Sequence, residues 1–410
     1  MKTRSCRFCG TKLVQSYVDL GISPLSNSFL NIKQIKQKEP IYPLHVFVCT
    51  NCLLVQLEEF ESPQKIFSNY AYFSSYSNTM LEHSKKYTNM MIDRFNFNEK
   101  SQIIEVASND GYLLQYFKER KIPILGIEPA ENVGKVAEKK GITTIYKFFG
   151  SKTATELVKS GEKADLLLGN NVLAHVPDLN DFVKGLKILL KSNGVITMEF
   201  PHLLQLIQQN QFDTIYHEHF SYFSFLVVQK IFSVHQLTIF DVDEIDIHGG
   251  SLRIYAKHKE NKNLKISSKV LKLINKESKF NLDKIESYST FQKNINKLKE
   301  EIYEFFKIAK KDGKKIVGYG APAKGNTMLN YCKITNQLIE YTVDKNTHKQ
   351  GLFLPGTHLS IETPDKIKET KPNYILILPW NLKDEVMEQL KFIREWGGKF
   401  VTTIPKVKIY

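Results

Sequence analysis

Tyr216, His217, Glu218 and His219 follow one another in the chain, at the head of an aromatic run that continues through Phe220, Tyr222 and Phe223. Histidine titrates near neutral pH and can both take and give a proton. Two imidazoles beside a carboxyl and a phenol are therefore the parts of general acid–base chemistry. The same stretch also reads as a buried aromatic strand whose polar groups are satisfied internally, because clustered ionisable groups occur in structural networks too. On a regular strand, alternation would send Glu218 and His219 to opposite faces, so a turn is the better expectation here.

A second chemistry lies in Cys6-x-x-Cys9 and Cys49-x-x-Cys52. Two thiolate pairs at this spacing complete a tetrahedral zinc site with Cys6, Cys9, Cys49 and Cys52 as ligands, and four sulfurs leave no position open for water. Such a metal is structural. With a cytoplasmic setting expected, metal is favoured over disulfides or redox pairs. Cys332 has no partner in this pattern and is expected to be an ordinary core residue.

The third candidate is a ligand loop. Residues 102–107 read as a buried strand, Ser108 to Gly111 as a turn, 112–117 as the start of a helix, and 124–129 as a second strand ending in Glu128. In doubly wound sheets such a loop approaches a nucleotide, and the terminal acid accepts from its ribose. Ala107, Asn109 and Gly111 keep only part of the three-glycine fingerprint for a pyrophosphate, and Asp110 would repel a diphosphate. A nucleoside without phosphate, such as S-adenosylmethionine, is thus favoured over NAD; a turn that binds nothing is the bland alternative. Further strands at 164–169 and 194–200 lead into Asn170, His175, Glu199 and His202. Ligand crevices lie at the carboxyl ends of such strands, which puts these residues at the mouth occupied by Glu128. Cofactor contacts are expected from Glu105, Ala107, Asn109, Gly111, Glu128, Asn170 and Asn171.

These residues need elements to hold them. A chain of 410 residues, 42% hydrophobic and 24% charged, suggests a globular protein of two or three domains. No signal-peptide pattern is apparent and no apolar run approaches a bilayer's thickness, so a cytoplasmic protein without a membrane partner is expected. The formal charge of +14 comes mostly from lysine, with arginine only at positions 4, 7, 94, 120, 253 and 394. Bidentate phosphate and base contacts favour arginine, so this charge argues for attraction of anionic substrates rather than nucleic acid. Residues 262–312 carry Leu and Ile at helical spacings and read as amphipathic helices joining two domains. Beyond them, strands are expected at 315–320, 338–344, 374–378 and 399–404, forming a small, mostly parallel sheet. Gly318-x-Gly320-x-x-Ala323 with Asp344 downstream fits a dinucleotide fingerprint, whereas Lys324 directly after it does not. The turn His248 to Ser251 either faces a substrate or only redirects the chain.

Taken together, the cysteine pairs, the Ser108 to Gly111 loop, Asn171-Val172-Leu173-Ala174-His175, Tyr216-His217-Glu218-His219-x-x-Tyr222-Phe223 and Gly320-Ala321-Pro322-Ala323-Lys324-Gly325-Asn326-Thr327 resemble the nucleotide-sugar C-methyltransferases. The motifs span nearly the whole chain in the same order. The resemblance implies an α/β protein with a small zinc-binding module at 1–60 and a class I methyltransferase Rossmann-like domain at 61–260. A helical connector at 261–312 and a Rossmann-like domain at 313–410 for the sugar nucleotide complete the expectation. It implies S-adenosylmethionine and structural zinc as cofactors, and methylation at C3 of a nucleoside-diphosphate 4-keto-deoxysugar. His219 would be the base with Tyr216 and Glu218 beside it, His175 would contact the keto or hydroxyl oxygen, and His217 would be structural. Substrate contacts are expected from Tyr70, Tyr72, Phe73, His248, Lys324, Asn326 and Asp344, in a monomer. Ala107 stands where the family usually has glycine, which should keep the fold and crowd the methionine end of the cofactor. A sugar O-methyltransferase, an NAD-dependent sugar-nucleotide enzyme and a binding protein without turnover remain as alternatives.

Overall fold

The computed structural model describes residues 4–67, 70 and 72–410. The chain divides into two compact units: Met1–Val14 with Val48–Leu203 and Phe220–Ile285, and Gln15–Phe47 with Leu204–His219 and Glu286–Tyr410. Among the described residues, no helix is long and apolar enough to cross a membrane.

The first unit is built on seven strands. These are β1 (Ile103–Val106), β2 (Ile124–Ile127), β3 (Thr144–Ile145), β4 (Ala164–Asn170), β5 (Leu190–Pro201), β6 (Leu237–Ile245) and β7 (Ser251–His258). Their order across the sheet is β6-β7-β5-β4-β1-β2-β3. β1 pairs in parallel with both β2 and β4, and β4 with β5, whereas β7 runs antiparallel to β5 and β6. Continuous apolar runs such as Ile103-Ile104 and Leu166-Leu167-Leu168 are what a strand covered on both faces requires, and all five residues are buried. The winding direction reverses between β1 and β4, and ligands of open α/β sheets bind at such a switch point, outside the carboxyl ends of the strands.

One face of this sheet is covered by the helix Asn78–Phe95, capped by the Ser77 side chain at its start and by Asn96 in a left-handed conformation at its end. Its apolar stripe includes Met80, Tyr87 and Met91, which join Ile103, Phe117 and Tyr255 in one core. The short strands Val55–Leu57 and Ser221–Tyr222 pair antiparallel beside the cysteine region.

In the second unit, β8 (Ile316–Tyr319), β9 (Thr342–Val343), β10 (Ile361–Glu362), β11 (Tyr374–Ile377), β12 (Lys399–Thr402) and β13 (Lys408–Ile409) form a sheet of order β10-β9-β8-β11-β12-β13. All neighbours are parallel except β12 and β13, as expected for a small, mostly parallel sheet. Val317, Val343, Ile377 and Phe400 form its core. The helix Phe291–Lys311 buries Phe291, Ile295, Leu298, Ile302, Phe306 and Ala309, a helical stripe read correctly from the spacing. Tyr17, from the strand Gln15–Ser23, stacks on Phe291 with ring centroids 5.1 Å apart.

Candidate active site

The four cysteines of the first unit converge, their Sγ atoms all lying within 4.8 Å of one another. Cys6 and Cys52 are 3.5 Å apart, as are Cys9 and Cys49. Sulfurs each about 2.3 Å from one zinc ion would be spaced much like this, and an all-sulfur donor set makes a closed structural site. The Gln56 amide donates to Cys6 Sγ at 3.1 Å, an outer contact of the kind that orients a ligand. Cys332 is buried in the second unit as a core residue.

At the switch point the loop after β1 is unusual. Ala107, Asn109 and Gly111 all have positive φ (57°, 49° and 74°). A Cβ on Gly111 would sit 2.3 Å from Ile142 Cδ1, so only glycine fits there. Glu128 accepts from the Asn109 backbone N–H at 2.9 Å and the Ala130 N–H at 2.8 Å. Each of its oxygens keeps a lone pair for a ribose hydroxyl. Burial pushes the Glu128 carboxyl up to about 7. Asn109 spends its side chain differently from a cofactor contact: its amide donates to the Tyr72 carbonyl and accepts from Ser74 N–H, both at 3.0 Å. Its part is to fasten the aromatic segment across the loop.

The strongest mark of a ligand is Glu105. It is 0% exposed at the end of β1, and neither carboxylate oxygen has a hydrogen-bond partner. Burial, with Glu128 and Asp110 nearby, pushes its carboxyl well above the ordinary range. Asn170, at the end of the adjacent β4, has the Tyr112 phenol near it but no well-formed hydrogen bond on either amide atom, and the side-chain oxygen of Asn171 is unpaired. Orphaned buried polar groups are costly unless something completes them. A cationic, amino-bearing nucleoside supplies both the charge and the donors, so these residues fit S-adenosylmethionine.

Glu199 and His202 serve other ends than the mouth suggested by strand ends alone. Glu199 accepts from Arg253 Nε at 2.6 Å and from His83 at 2.8 Å. Burial alone would raise its carboxyl, but Arg253 and His83 hold it below the usual range. His202 donates to Glu277 at 2.7 Å, and Glu277 also accepts from the Phe225 and Leu226 backbone N–H groups at the start of the helix Phe225–Val234. That pair is a helix anchor.

An aromatic chain joins other expected residues. Tyr72 lies 6.2 Å from Tyr70, Tyr70 lies 5.4 Å from Phe67, and Phe67 stands edge-on to His175 at 5.5 Å. Asn132 clamps the Tyr70 backbone through bonds of 3.0 and 2.8 Å. Phe73 packs edge-on to Tyr76 at 6.0 Å. Thus Tyr70, Tyr72 and His175 are brought into one group. His248 opens a turn in a left-handed conformation.

The second unit holds the Tyr-His-Glu-His stretch, and it is a turn: His219 N–H donates to the Tyr216 carbonyl at 2.9 Å. This folds the ring of Tyr216 against that of His219, with centroids 4.0 Å apart. His219 Nδ1 lies 2.8 Å from the Thr214 carbonyl, which can only accept, so Nδ1 carries the proton. Nε2 is then the basic nitrogen, and the Tyr216 hydroxyl donates to it at 2.9 Å. Glu218 accepts from the Asn27 amide at 2.6 Å, and His217 donates to the Pro43 carbonyl at 3.2 Å. Burial pushes the His217 imidazole down, which suits a structural ring.

The glycine-rich motif and this turn meet within the unit. Thr327 donates to the Ile215 carbonyl at 3.1 Å. Lys324 bonds Asn381 at 2.8 Å and lies over the Trp380 ring at 4.7 Å. Trp380 in turn donates to Asp213 at 2.6 Å. Burial pushes Asp213 up to about 6, against the pull of Lys324, and burial lowers the Lys324 ammonium. Asp213 escaped sequence reasoning. Asn326 is 0% exposed with both amide atoms unpaired. Asp344 is largely occupied: it accepts from Ala321 N–H at 2.7 Å and Asn346 N–H at 2.8 Å, while Lys349 approaches to 3.9 Å.

Three family models match the chain. They are described as "Putative zinc binding domain" over residues 6–67, "Methyltransferase domain" over 80–240 and "C-methyltransferase C-terminal domain" over 246–405. C-methyltransferase NovU of Streptomyces niveus is 31% identical over 404 residues, which is 98% of this chain and 96% of the relative. Among solved structures, magnesium protoporphyrin IX methyltransferase of Synechocystis PCC 6803 with bound SAH is 12% identical. It matches 43% of this chain and 82% of its own at a TM-score of 0.35. An S-adenosylmethionine-dependent methyltransferase from Clostridium acetobutylicum ATCC 824, also 12% identical, covers 43% and 92% at 0.35. The near end-to-end match to NovU and the three family models place the chain in the C-methyltransferase family, as an S-adenosylmethionine-dependent enzyme with a structural zinc module.

Proposed function

We propose that the enzyme methylates C3 of a nucleoside-diphosphate-linked 4-keto-deoxysugar through an enolate. Carbon is a poor nucleophile until an adjacent carbonyl makes its proton acidic, and a C4 ketone does this for C3. The observation that carries the reading is the Tyr216–His219 pair, whose imidazole is fixed by Thr214 with Nε2 as its basic atom. The Tyr216 hydroxyl turns away from Nε2 and frees the one lone pair it bonds at rest; His219 takes the C3 proton there, and the imidazolium N–H then donates to the Tyr216 oxygen. Glu218, fixed by Asn27, supports the turn. His175 serves as a contact for the keto or hydroxyl oxygen, and Tyr70, Tyr72, Phe73 and His248 as further substrate contacts.

Bound S-adenosylmethionine supplies the electrophilic methyl. Glu105, Asn170 and Asn171 receive its charged amino-acid end, Glu128 its ribose, and the loop Ala107 to Gly111 its nucleoside. Lys324 and Asn326 serve the sugar nucleotide, while Asp344 holds the turn that precedes them. The NAD alternative has less support, because backbone N–H groups and Lys349 already take up the Asp344 carboxylate. A cytoplasmic monomer acting on a small molecule needs neither nucleic acid nor a membrane.

The test is mass spectrometry of the protein with S-adenosylmethionine and a panel of 4-keto sugar nucleotides. Gain of one methylene that survives ether-cleaving conditions supports the proposal. A methyl lost under those conditions establishes O-methylation instead, and turnover that requires NAD rather than S-adenosylmethionine overturns both.

A further inference from the structure

His175 sits in a segment with little structure of its own. Between the end of β4 and the helix Leu179–Leu189 the only regular feature is one 3-10 turn, Leu173–His175. Such segments open readily unless they are tied down by contacts from elsewhere. Several hydrogen bonds from elsewhere in the unit supply such ties. Asn171 N–H donates to the Glu199 carbonyl at 2.8 Å, and the Ala174 carbonyl accepts from Phe220 N–H at 2.7 Å. The Pro177 carbonyl accepts from Arg7 Nη1 at 3.0 Å. Just beyond, the Asn180 amide donates to the Phe8 carbonyl at 2.9 Å. The last two of these end in the cysteine knuckle.

Arg7 stands between Cys6 and Cys9. Its backbone N–H donates to Gln56 Oε1 at 2.9 Å, and the same Gln56 amide donates to Cys6 Sγ. Its second terminal nitrogen donates to the Leu57 carbonyl, and its guanidinium lies 5.4 Å from the centre of the Phe220 ring. One side chain therefore joins the knuckle, the strand Val55–Leu57, the residue that bonds Ala174, and the residue two places after His175. A planar fork can hold two carbonyls in fixed directions at once; a lysine ammonium cannot. A small metal module that served only its own folding would not need its arginine turned outward onto this segment.

We propose that Arg7 is a positioning residue, which ties the His175 segment to the four-cysteine knuckle and so makes the metal module set where His175 stands. The inference rests on the reading of His175 as a substrate contact, but its mechanical part can be tested apart from that reading. The experiment is hydrogen–deuterium exchange of the full-length, zinc-loaded protein, comparing the native chain with Arg7→Met and Arg7→Lys, alongside zinc content per chain. The expected result is faster exchange in residues 171–178 in both variants, on the order of tenfold to a hundredfold, the weight of one hydrogen bond from a charged donor. Zinc content and exchange in β1, β4 and β5 should be unchanged. Unaltered exchange in 171–178 overturns the proposal. So does a rise throughout the unit with loss of zinc, which would make Arg7 a general structural residue.

Turnover of the keto sugar nucleotide that the methylation panel identifies then decides the catalytic part. Arg7→Met should lower kcat more than KM for S-adenosylmethionine, and Arg7→Met with His175→Ala should be no slower than His175→Ala alone. Fully additive losses would show that Arg7 acts other than through His175 and overturn the positioning role. A fully active His175→Ala protein would instead remove the catalytic reading of His175, while the exchange result still decides the tie.

Discussion

Replacing His219 by glutamine or by alanine separates its chemistry from its packing. The residue is 8% exposed, and its ring partners include the Thr214 carbonyl at 2.8 Å and the Tyr216 hydroxyl at 2.9 Å. Alanine strands both, at a cost of about 1–3 kcal/mol for each buried polar group left unpaired. Glutamine has an amide to offer them and should fold nearly as well as the native protein. Neither has a basic nitrogen. Loss of a general base costs roughly 10²–10⁴ in rate, or about 3–5 kcal/mol at 1.36 kcal/mol per decade. The assay is single-turnover methylation, with deuterium wash-in at C3 of the keto sugar measured without S-adenosylmethionine. Both variants should lose methylation and wash-in together, with His219→Gln keeping native stability in denaturant. Full activity in both proteins would refute the base assignment. Wash-in that survives while methylation is lost would show that another group removes the proton.

Tyr216→Phe removes the oxygen that accepts from the His219 imidazolium once the C3 proton is taken and should slow methylation about fivefold to tenfold, the net worth of one hydrogen bond, with affinity for S-adenosylmethionine unchanged by calorimetry. Ala107→Gly relieves a left-handed conformation that costs an L-residue about 1–2 kcal/mol, against about 0.5–1 kcal/mol of added chain entropy; urea unfolding should show a small net gain, and a loss would refute the strain argument. Glu277→Ala leaves His202 and the Phe225 and Leu226 N–H groups unpaired in the core, and breaking a buried pair of this kind costs about 3–5 kcal/mol, read as a lower denaturation midpoint. Burial pushes the folded carboxyl of Glu128 up to about 7, above its ordinary value of 4.5, so the folded state holds the extra proton between those values. Stability of the ligand-free protein should therefore fall as pH rises through that window, by about 3 kcal/mol from this group at 1.36 kcal/mol per unit. Glu128→Gln should flatten that slope, and an unchanged slope would refute the assignment.

The parallel sheets were legible because their strands are short and apolar throughout, a pattern that needs no partner to be recognised. The turn at Tyr216 to His219 was legible through a conflict, since strand alternation would have separated side chains that chemistry wants together. The cysteine site was legible from spacing alone. What escaped was meaning set at long range. Asp213 looks like any loop acid between Phe212 and Thr214, and only Trp380, 167 residues later, makes it a buried acceptor. Glu277 lies in a lysine-rich helix that reads as a wet surface, yet it falls in register with the buried Val270 and Leu273. That spacing was the available signal, and it was hidden by the assumption that a charged residue marks the solvent side.

The C-terminal loop shows how a fingerprint can be satisfied by its own chain. Gly318, Gly320, Ala323 and Asp344 fall at dinucleotide spacing because the physical needs are the same: a strand, a tight turn and an acid beside it. In a dinucleotide site the acid waits for a ribose. Here Asp344 caps the turn itself through Ala321 N–H, and Lys349 bonds the Ala321 carbonyl at 2.9 Å while lying close to the carboxylate. Glu128 is likewise held by two N–H groups; what sets Asp344 apart is the Lys349 ammonium 3.9 Å from its carboxylate, which lowers what a further hydroxyl would add. The polar capacity left open in this motif belongs instead to Asn326, buried with four hydrogen-bonding positions unused. The unmet need of an amide, which both donates and accepts, supports the proposal that this unit serves a sugar nucleotide, whose hydroxyls and base offer both donors and acceptors.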